Sequence, residues 1–370
     1  MQVSTATFMR KNGDEKMVNG AFRLSDLSQN EYLDELNNLK IPKKLLSYTY
    51  ASLFCGGGGL DLGFALAGFV PAYSSDLIPH FVETIKKNLR NHFVEDADIS
   101  KIDGHEILRK SGGSVDVIIG GPPCQSFSIL GSRRSTNDPR GQLVFDYARI
   151  IGQIKPRVFL LENVPGIMTV NKGRDWQEML SYFEEETDFN LVAAKINAAD
   201  YGVPQIRNRI LLIGFRCKKE MERFLWPKPT HADATQINLS GLPPYRKASD
   251  ALECVSGLPN HILRVHSERV RLRYSLVEPG GRDRKDHTDR IHPDRPSGTV
   301  LVGSGAGGGR PFIHPSEHRH ITVREAARLQ SFPDWWEFCG GPTAAYRQVG
   351  NAVPPMMARA VAYSISKALS

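Results

Sequence analysis

The sequence predicts an α/β protein: a doubly wound, mostly parallel sheet accompanied by a second, smaller domain. Three observations carry this prediction. Between 48 and about 216, apolar runs of strand length alternate with helix-like segments. A glycine cluster, CGGGG at 55–59, follows the first of those runs directly. Beyond 217 the apolar periodicity fades and charge rises, as expected of a different kind of unit. The boundaries these shifts predict are an N-terminal appendage over 1–46, a large domain over 47–216 and a different unit from 217.

Residues 1–46 are polar and lack core patterning, apart from one helix in LSQNEYLDELNNLKIP. There the Ser28 to Glu31 spacing resembles a capping box, and Ile41-Pro42 marks the stop. Strands are predicted at 48–54 (YTYASLF), 70–75 (VPAYSS), 115–120 (VDVIIG), 157–162 (RVFLLE) and 209–215 (RILLIGF). A further candidate in EDADIS ends at Asp98. HFVETIKKNL and GQLVFDYARIIGQI carry the apolar spacing of helices. Sheets of this kind bind ligands beyond the carboxyl ends of their strands, so residues at those ends are the candidates for function.

The glycine cluster does not fit GxGxxG: counted from Gly56 the last position is Asp61, and from Gly57 it is Leu62. A nicotinamide cofactor is therefore disfavoured. Asp76 ends the next strand, where such sheets bind ribose hydroxyls, so the pattern asks for an adenosine-bearing ligand without requiring a pyrophosphate. GSGAGGGR at 303–310 lacks the GK[ST] of a phosphate-binding loop.

Composition narrows the field further. Lys and Arg number 47 against 40 Asp and Glu, a net charge of +7 that suits a polyanionic partner. Five cysteines lie 37 or more positions apart, so no CxxC pair exists for zinc or redox work, and any special cysteine acts alone. No apolar stretch approaches the roughly 18 residues of a membrane helix, and the chain reads as a protein of the cell interior. The stretch 261–295 holds nine cations against six acids, with four histidines interleaved. His314, His318 and His320 lack the cysteine or carboxylate company of a metal site, so surface or backbone-contact roles are expected and no metal is.

One cysteine stands out. In GGPPCQSFS, Gly121, Pro122 and Pro123 present Cys124 from a stiff backbone at the exit of a buried strand. Alone, this reads equally well as a structural thiol on a tight turn.

LFCGGGG, GGPPCQSFS, LLENVPGI, GVPQIRNRILLIGF, TVREAARLQSFPD and RQVGNAVPP occur in the order and approximate spacing of the DNA (cytosine-5)-methyltransferase family. The resemblance spans about 48–216 and 296–365 and leaves the N-terminus and 217–295 uncovered. It implies a Rossmann-like S-adenosyl-L-methionine-dependent methyltransferase fold with a smaller target-recognition domain, of the bacterial or phage modification type. It makes Cys124 the nucleophile, Glu162 and Asn163 the acid-bearing motif, and Gln205, Arg207 and Arg209 the base-holding motif. Phe54, Cys55, Gly56, Gly58, Asp76, Leu77, Asp98, Ile99, Pro122, Asn351 and Ala352 become contacts of S-adenosyl-L-methionine. Leu77 stands where the family often carries a tryptophan against the adenine, a departure that weakens packing there.

The implied partner is double-stranded DNA, in the cytoplasm and at the nucleoid, with a cognate restriction endonuclease as a separate chain. Two alternatives share these motifs: a tRNA cytosine-5 methyltransferase, and a catalytically silent DNA-binding module. The chemistry fits the residues. Cytosine C5 is a poor nucleophile until something adds at C6, and a thiolate adds well and leaves again. A carboxyl at N3 stabilises the charge that follows, and arginine suits the holding of O2 or of that carboxylate. Arg207 and Arg209, two apart on a strand edge, are expected to point the same way. SFSILGSRRSTNDPRG is expected to be a mobile loop whose Arg133 and Arg134 grip the DNA backbone. The Gly350-Asn351 turn is expected beside Gly56.

Overall fold

A computed structural model describes residues 30–123, 142–233, 235, 241–302 and 311–370. Its centre is one seven-stranded sheet: β1 (Thr49–Leu53), β2 (Val70–Asp76), β3 (Phe93–Asp96), β4 (Val117–Gly120), β5 (Val158–Asn163), β6 (Asn190–Asn197) and β7 (Asn208–Phe215). The order across the sheet is β3-β2-β1-β4-β5-β7-β6. The first five strands run parallel. β7 lies antiparallel to both β5 and β6. A doubly wound, mostly parallel sheet is thus what the alternation builds.

Burial explains which strands were visible. VIIG of β4 and VFLLEN of β5 are buried at every position, as strands covered on both faces must be. Their side chains alternate between two apolar layers. Val117, Ile119, Val158 and Leu160 join the layer that holds Leu62 and Val361. Ile118, Phe159 and Leu161 join the layer that holds Ile107, Tyr147 and Trp176. NLVAAKIN of β6 went unrecognised because, at the sheet edge, most of its residues are only partly covered and Lys195 interrupts the apolar run.

Three local expectations are corrected. The N-terminal segment is not a loose appendage over its last part: Tyr32 and Leu36 of the helix Glu31–Asn37 are buried in the main core. The Tyr32 hydroxyl donates to the carbonyl of Arg328. The helix is capped by Asn30, whose side chain accepts from Leu33 N–H at 3.1 Å, rather than by Ser28, which lies outside the described residues. It stops at Asn37, before Ile41-Pro42. Gly350 and Asn351 do not form a free turn but end the helix Pro342–Asn351. By contrast Thr322 and Glu325 form the capping box expected of them, with Thr322 Oγ1 accepting from Glu325 N–H and Glu325 accepting from Thr322 N–H.

Candidate active site

β1, β2, β4 and β5 all run parallel, so Phe54, Asp76, Gly121 and Glu162 come out at one edge of the sheet. At the first exit the chain turns sharply. Phe54, Gly56 and Gly58 all have positive φ, and for Phe54 (φ 57°) that is a strained conformation, the sort that persists where surrounding structure demands it. The turn is locked from β2: Asp76 accepts from Gly56 N–H at 2.9 Å and from Ile78 N–H at 3.0 Å. Burial raises the Asp76 carboxyl above its ordinary range, and these two backbone donors offset part of that. Each carboxylate oxygen keeps a second lone pair for a ligand hydroxyl. Leu77, next in line, is 67% exposed and free to cover an apolar ring.

Gly57, Gly58 and Gly59 have no room for side chains. A Cβ at Gly57 would lie 2.9 Å from the carbonyl oxygen of Gln348, and one at Gly59 only 2.0 Å from that of Val353. The fully buried Trp336 donates its indole N–H to Gly57 O at 3.1 Å. The 336–353 region therefore lies directly on the glycine loop, with Ala352 close to Gly59. Asn351 itself is exposed at the helix end. Cys55 is buried, which pushes its thiol well above the usual range, so it packs rather than reacts. Asp98 lies two residues beyond β3 and accepts from the Ser100 hydroxyl at 2.8 Å and its N–H at 3.1 Å, which together hold its carboxyl below the usual range. Ile99 turns into the core, and its carbonyl accepts from Arg149 at 2.8 Å.

The exits of β4 and β5 meet across from this loop. Asn163 donates to the carbonyl of Pro122 at 3.1 Å, and Glu162 Oε2 would sit 2.8 Å from a Cβ placed on Gly121. The stem that leads into Cys124 is thus held against the candidate acid. Cys124, Arg133 and Arg134 themselves, and the glycine-rich stretch 303–310, lie outside the described residues. Arg209 reaches Glu162 from the start of β7, with Nε 2.7 Å from Oε1 and both side chains almost buried. The N–H is not aligned for a hydrogen bond, so the contact is one of charge. Arg209 thus sets a positive charge against one carboxylate oxygen, and the other faces Gly121.

Arg207 departs from expectation. It does not join Arg209 on Glu162; fully buried, it donates to the carbonyls of Val300 at 3.3 Å and Gly350 at 2.7 Å. β7 begins at Asn208, so strand alternation does not govern the residue before it. Burial drives its guanidinium well below the usual arginine range. Gln205 plays a similar tying role, donating to Leu329 O at 3.2 Å and accepting from Val300 N–H at 3.1 Å.

Sequence reasoning missed Asp61. It is fully buried beneath the glycine loop and accepts from the hydroxyls of Ser52 (2.8 Å) and Ser74 (2.9 Å), joining β1 to β2. Burial pushes its carboxyl up to about 6. Two serines inside otherwise apolar strands were the available signal. The histidines have protein partners: His314 Nδ1 accepts from Glu317 N–H at 3.1 Å, and His320 shares a 2.7 Å hydrogen bond with Tyr274. His314 and His320 are buried, not on the surface. Among the described residues no group of three His, Cys, Asp or Glu could hold a metal ion, and no helix is long and apolar enough to cross a membrane.

Glycine loop, Pro-Pro stem, glutamate at the β5 exit and arginine from an antiparallel β7 form one edge, and comparison with known proteins decides what it belongs to. The family model for C-5 cytosine-specific DNA methylase matches residues 48–367, most of the chain. The chain is a member of this family. Among its relatives, the Type II methyltransferase M1.HphI of Haemophilus parahaemolyticus is 35% identical over 340 residues, which cover 87% of each chain. The Type II methyltransferase M.NgoFVII of Neisseria gonorrhoeae is 36% identical, covering 90% of this chain and 89% of its own. A crystal structure described as a DNA modification methyltransferase encoded within an E. coli prophage superposes with a TM-score of 0.70 at 26% identity, over 87% of this chain and 99% of that one. The Dnmt2 methyltransferase of S. pombe, at 19% identity and a TM-score of 0.62, shares the fold. This C-5 methylase is accordingly a DNA cytosine-5-methyltransferase of the restriction-modification kind.

Proposed function

We propose that the enzyme transfers a methyl group to C5 of a cytosine extruded from a specific duplex sequence, through a transient bond between Cys124 and C6. The pairing of Glu162 with Arg209 beside the Gly121-Pro122 stem supports this most directly. It holds a carboxyl against the stem that leads into Cys124.

The bonds balance as follows. The Cys124 thiolate adds to C6 and electron density moves toward N3, where the Glu162 carboxyl supplies a proton. C5, now enamine-like, accepts the methyl group, whose bond to the donor sulfonium would break to leave a neutral thioether. Loss of the C5 proton to a base restores the 5,6 double bond, expels Cys124 as thiolate and returns the N3 proton to Glu162. Arg209 holds Glu162 in place and keeps the local charge from accumulating.

S-adenosyl-L-methionine fits the glycine loop: Asp76 for ribose hydroxyls, the exposed Leu77 for adenine, and a loop fixed by Trp336 and Gln348. Bound there, it supplies the methyl group. Reaching C5 requires the base to leave the stack, at a cost of a few kcal/mol that phosphate contacts from Arg133 and Arg134 help to offset. We divide the molecule into a catalytic domain over 47–216 completed by 341–370, and a target-recognition domain over 217–340. A cytoplasmic setting and a cognate restriction endonuclease as a separate chain accompany this reading. Bisulfite sequencing of plasmid DNA from cells that express the protein tests it: full protection of cytosines within one short motif is expected. Methylation found on tRNA and none on DNA would overturn it.

A further inference from the structure

Three of the nine cations between 261 and 295 are committed inside the fold. Arg273 pairs with Asp283 at 2.9 Å and with Asp286. Arg282 pairs with Asp289 at 2.6 Å. Arg290 is buried and donates to the carbonyls of Tyr274, His314 and Pro315. Arg264, Arg269, Arg271, Arg284, Lys285 and Arg295 are exposed, and among the described residues none of their side chains has a hydrogen-bond or ion-pair partner. Arg284 and Lys285 differ from the other four in where they stand.

They sit at the tip of a narrow hairpin. Arg282 bridges Asp289, Asp283 N–H donates to Thr288 O at 2.9 Å, and Arg290 N–H donates to Gly281 O at 2.8 Å. The tip is pinned from beneath: Asp283, only 3% exposed, accepts from Asp286 N–H at 2.7 Å on one oxygen and meets Arg273 on the other. Burying a carboxylate to shape a loop is costly, and a plain solvated connection does not require it. A rigid tip that presents two unpaired cations is what recognition does require, because little freedom is then lost on binding.

The base of this hairpin adjoins the catalytic arm. Thr288 and Asp289 face Thr299 and Phe312 across a cavity of about 180 Å³. Thr299 donates its hydroxyl to Ile206 O at 2.9 Å, and Ile206 N–H donates to Ser297 O at 2.8 Å. Ile206 is three residues from Arg209, roughly 10 Å of extended chain. The base of the hairpin is thus tied to the segment that leads to Arg209 and its Glu162 pair.

We infer that the hairpin 281–290 reads the DNA sequence, with Arg284 donating to a guanine edge in the major groove and Lys285 holding a phosphate. The guanidinium fork matches guanine O6 and N7, which a lysine ammonium matches only as a point charge. The inference rests on the reading of this enzyme as one that acts on duplex DNA.

The test uses the full chain, duplexes that carry the motif found by bisulfite sequencing, and duplexes with one base pair of that motif replaced. Arg284→Ala should lower kcat/KM on the intact motif by about tenfold to a hundredfold. It should also equalise the rates on duplexes that differ at one guanine-bearing pair. Arg284→Lys should behave the same way, while Lys285→Ala should weaken binding to all duplexes alike and reduce the salt slope by about one. Calorimetric binding of S-adenosyl-L-methionine should match the wild type throughout. An Arg284→Ala enzyme that keeps the wild-type ranking of duplexes overturns the inference, as does one that loses cofactor binding together with activity. A wild-type protein that methylates no DNA at all sinks the underlying reading instead.

Discussion

The proposed role of Glu162 rests on what touches it. Buried against Gly121, it would be an unsupported charge without Arg209. Glu162→Gln keeps the shape and an acceptor for Arg209 but cannot pass a proton to N3. The expected result is a kcat lowered about 10²- to 10⁴-fold with DNA affinity kept, measured by transfer of labelled methyl groups and by gel shift. An unchanged kcat would contradict the role. Residue types were legible in the sequence: LLENVPGI and IRNR each announced their charged members. Their partners were less so. Arg207 looked like a twin of Arg209, yet it ties Val300 to Gly350, positions 93 and 143 residues away, and no local pattern encodes contacts of that span.

At the level of elements, the glycine loop and the helix Gly59–Leu66 behind it depend on Asp61. Its two serine partners join β1 and β2 beneath the candidate cofactor site. Because its folded-state pKa of about 6 lies above the usual 3.8, the folded protein binds this proton more tightly than the unfolded chain does. Stability from this group is therefore greatest below 3.8, declines as pH rises toward 6, and is constant above it. The accumulated cost is roughly 3 kcal/mol. Asp61→Asn carries no such charge, so its stability relative to wild type should rise by that order between pH 4 and 7. Urea unfolding at both pH values checks this, and parallel pH curves for the two proteins would contradict it. Elements buried on both faces, such as β4 and β5, were easy to read; β6 at the edge and the helix Arg174–Thr187 were not, since half-covered segments carry weaker patterns.

Over the whole molecule, residues far apart in sequence converge on one sheet edge. Gly57 meets Gln348 and Trp336, Pro122 meets Asn163, and Glu162 meets Arg209. The parallel order of β1, β2, β4 and β5 brings four strand exits together, and the antiparallel β7 delivers its starting residues to the same place. That convergence was legible as a principle of such sheets, but the docking of the N-terminal helix was not. Tyr32 is a lone aromatic in a polar stretch, and its burial rests on distant partners, the carbonyl of Arg328 and the guanidinium of Arg246 over its ring. In the proposed mechanism this architecture serves the thiol of Cys124, and Asn163 fastens the Pro122 stem that precedes it.

The most direct measurement incubates the enzyme with S-adenosyl-L-methionine and a duplex carrying 5-fluorocytosine at the target position, where fluorine replaces the proton that must leave. The account predicts a denaturant-resistant protein–DNA adduct with wild type and none with Cys124→Ser, which should also fail to methylate ordinary duplex. A serine variant that methylates at the wild-type rate would contradict it.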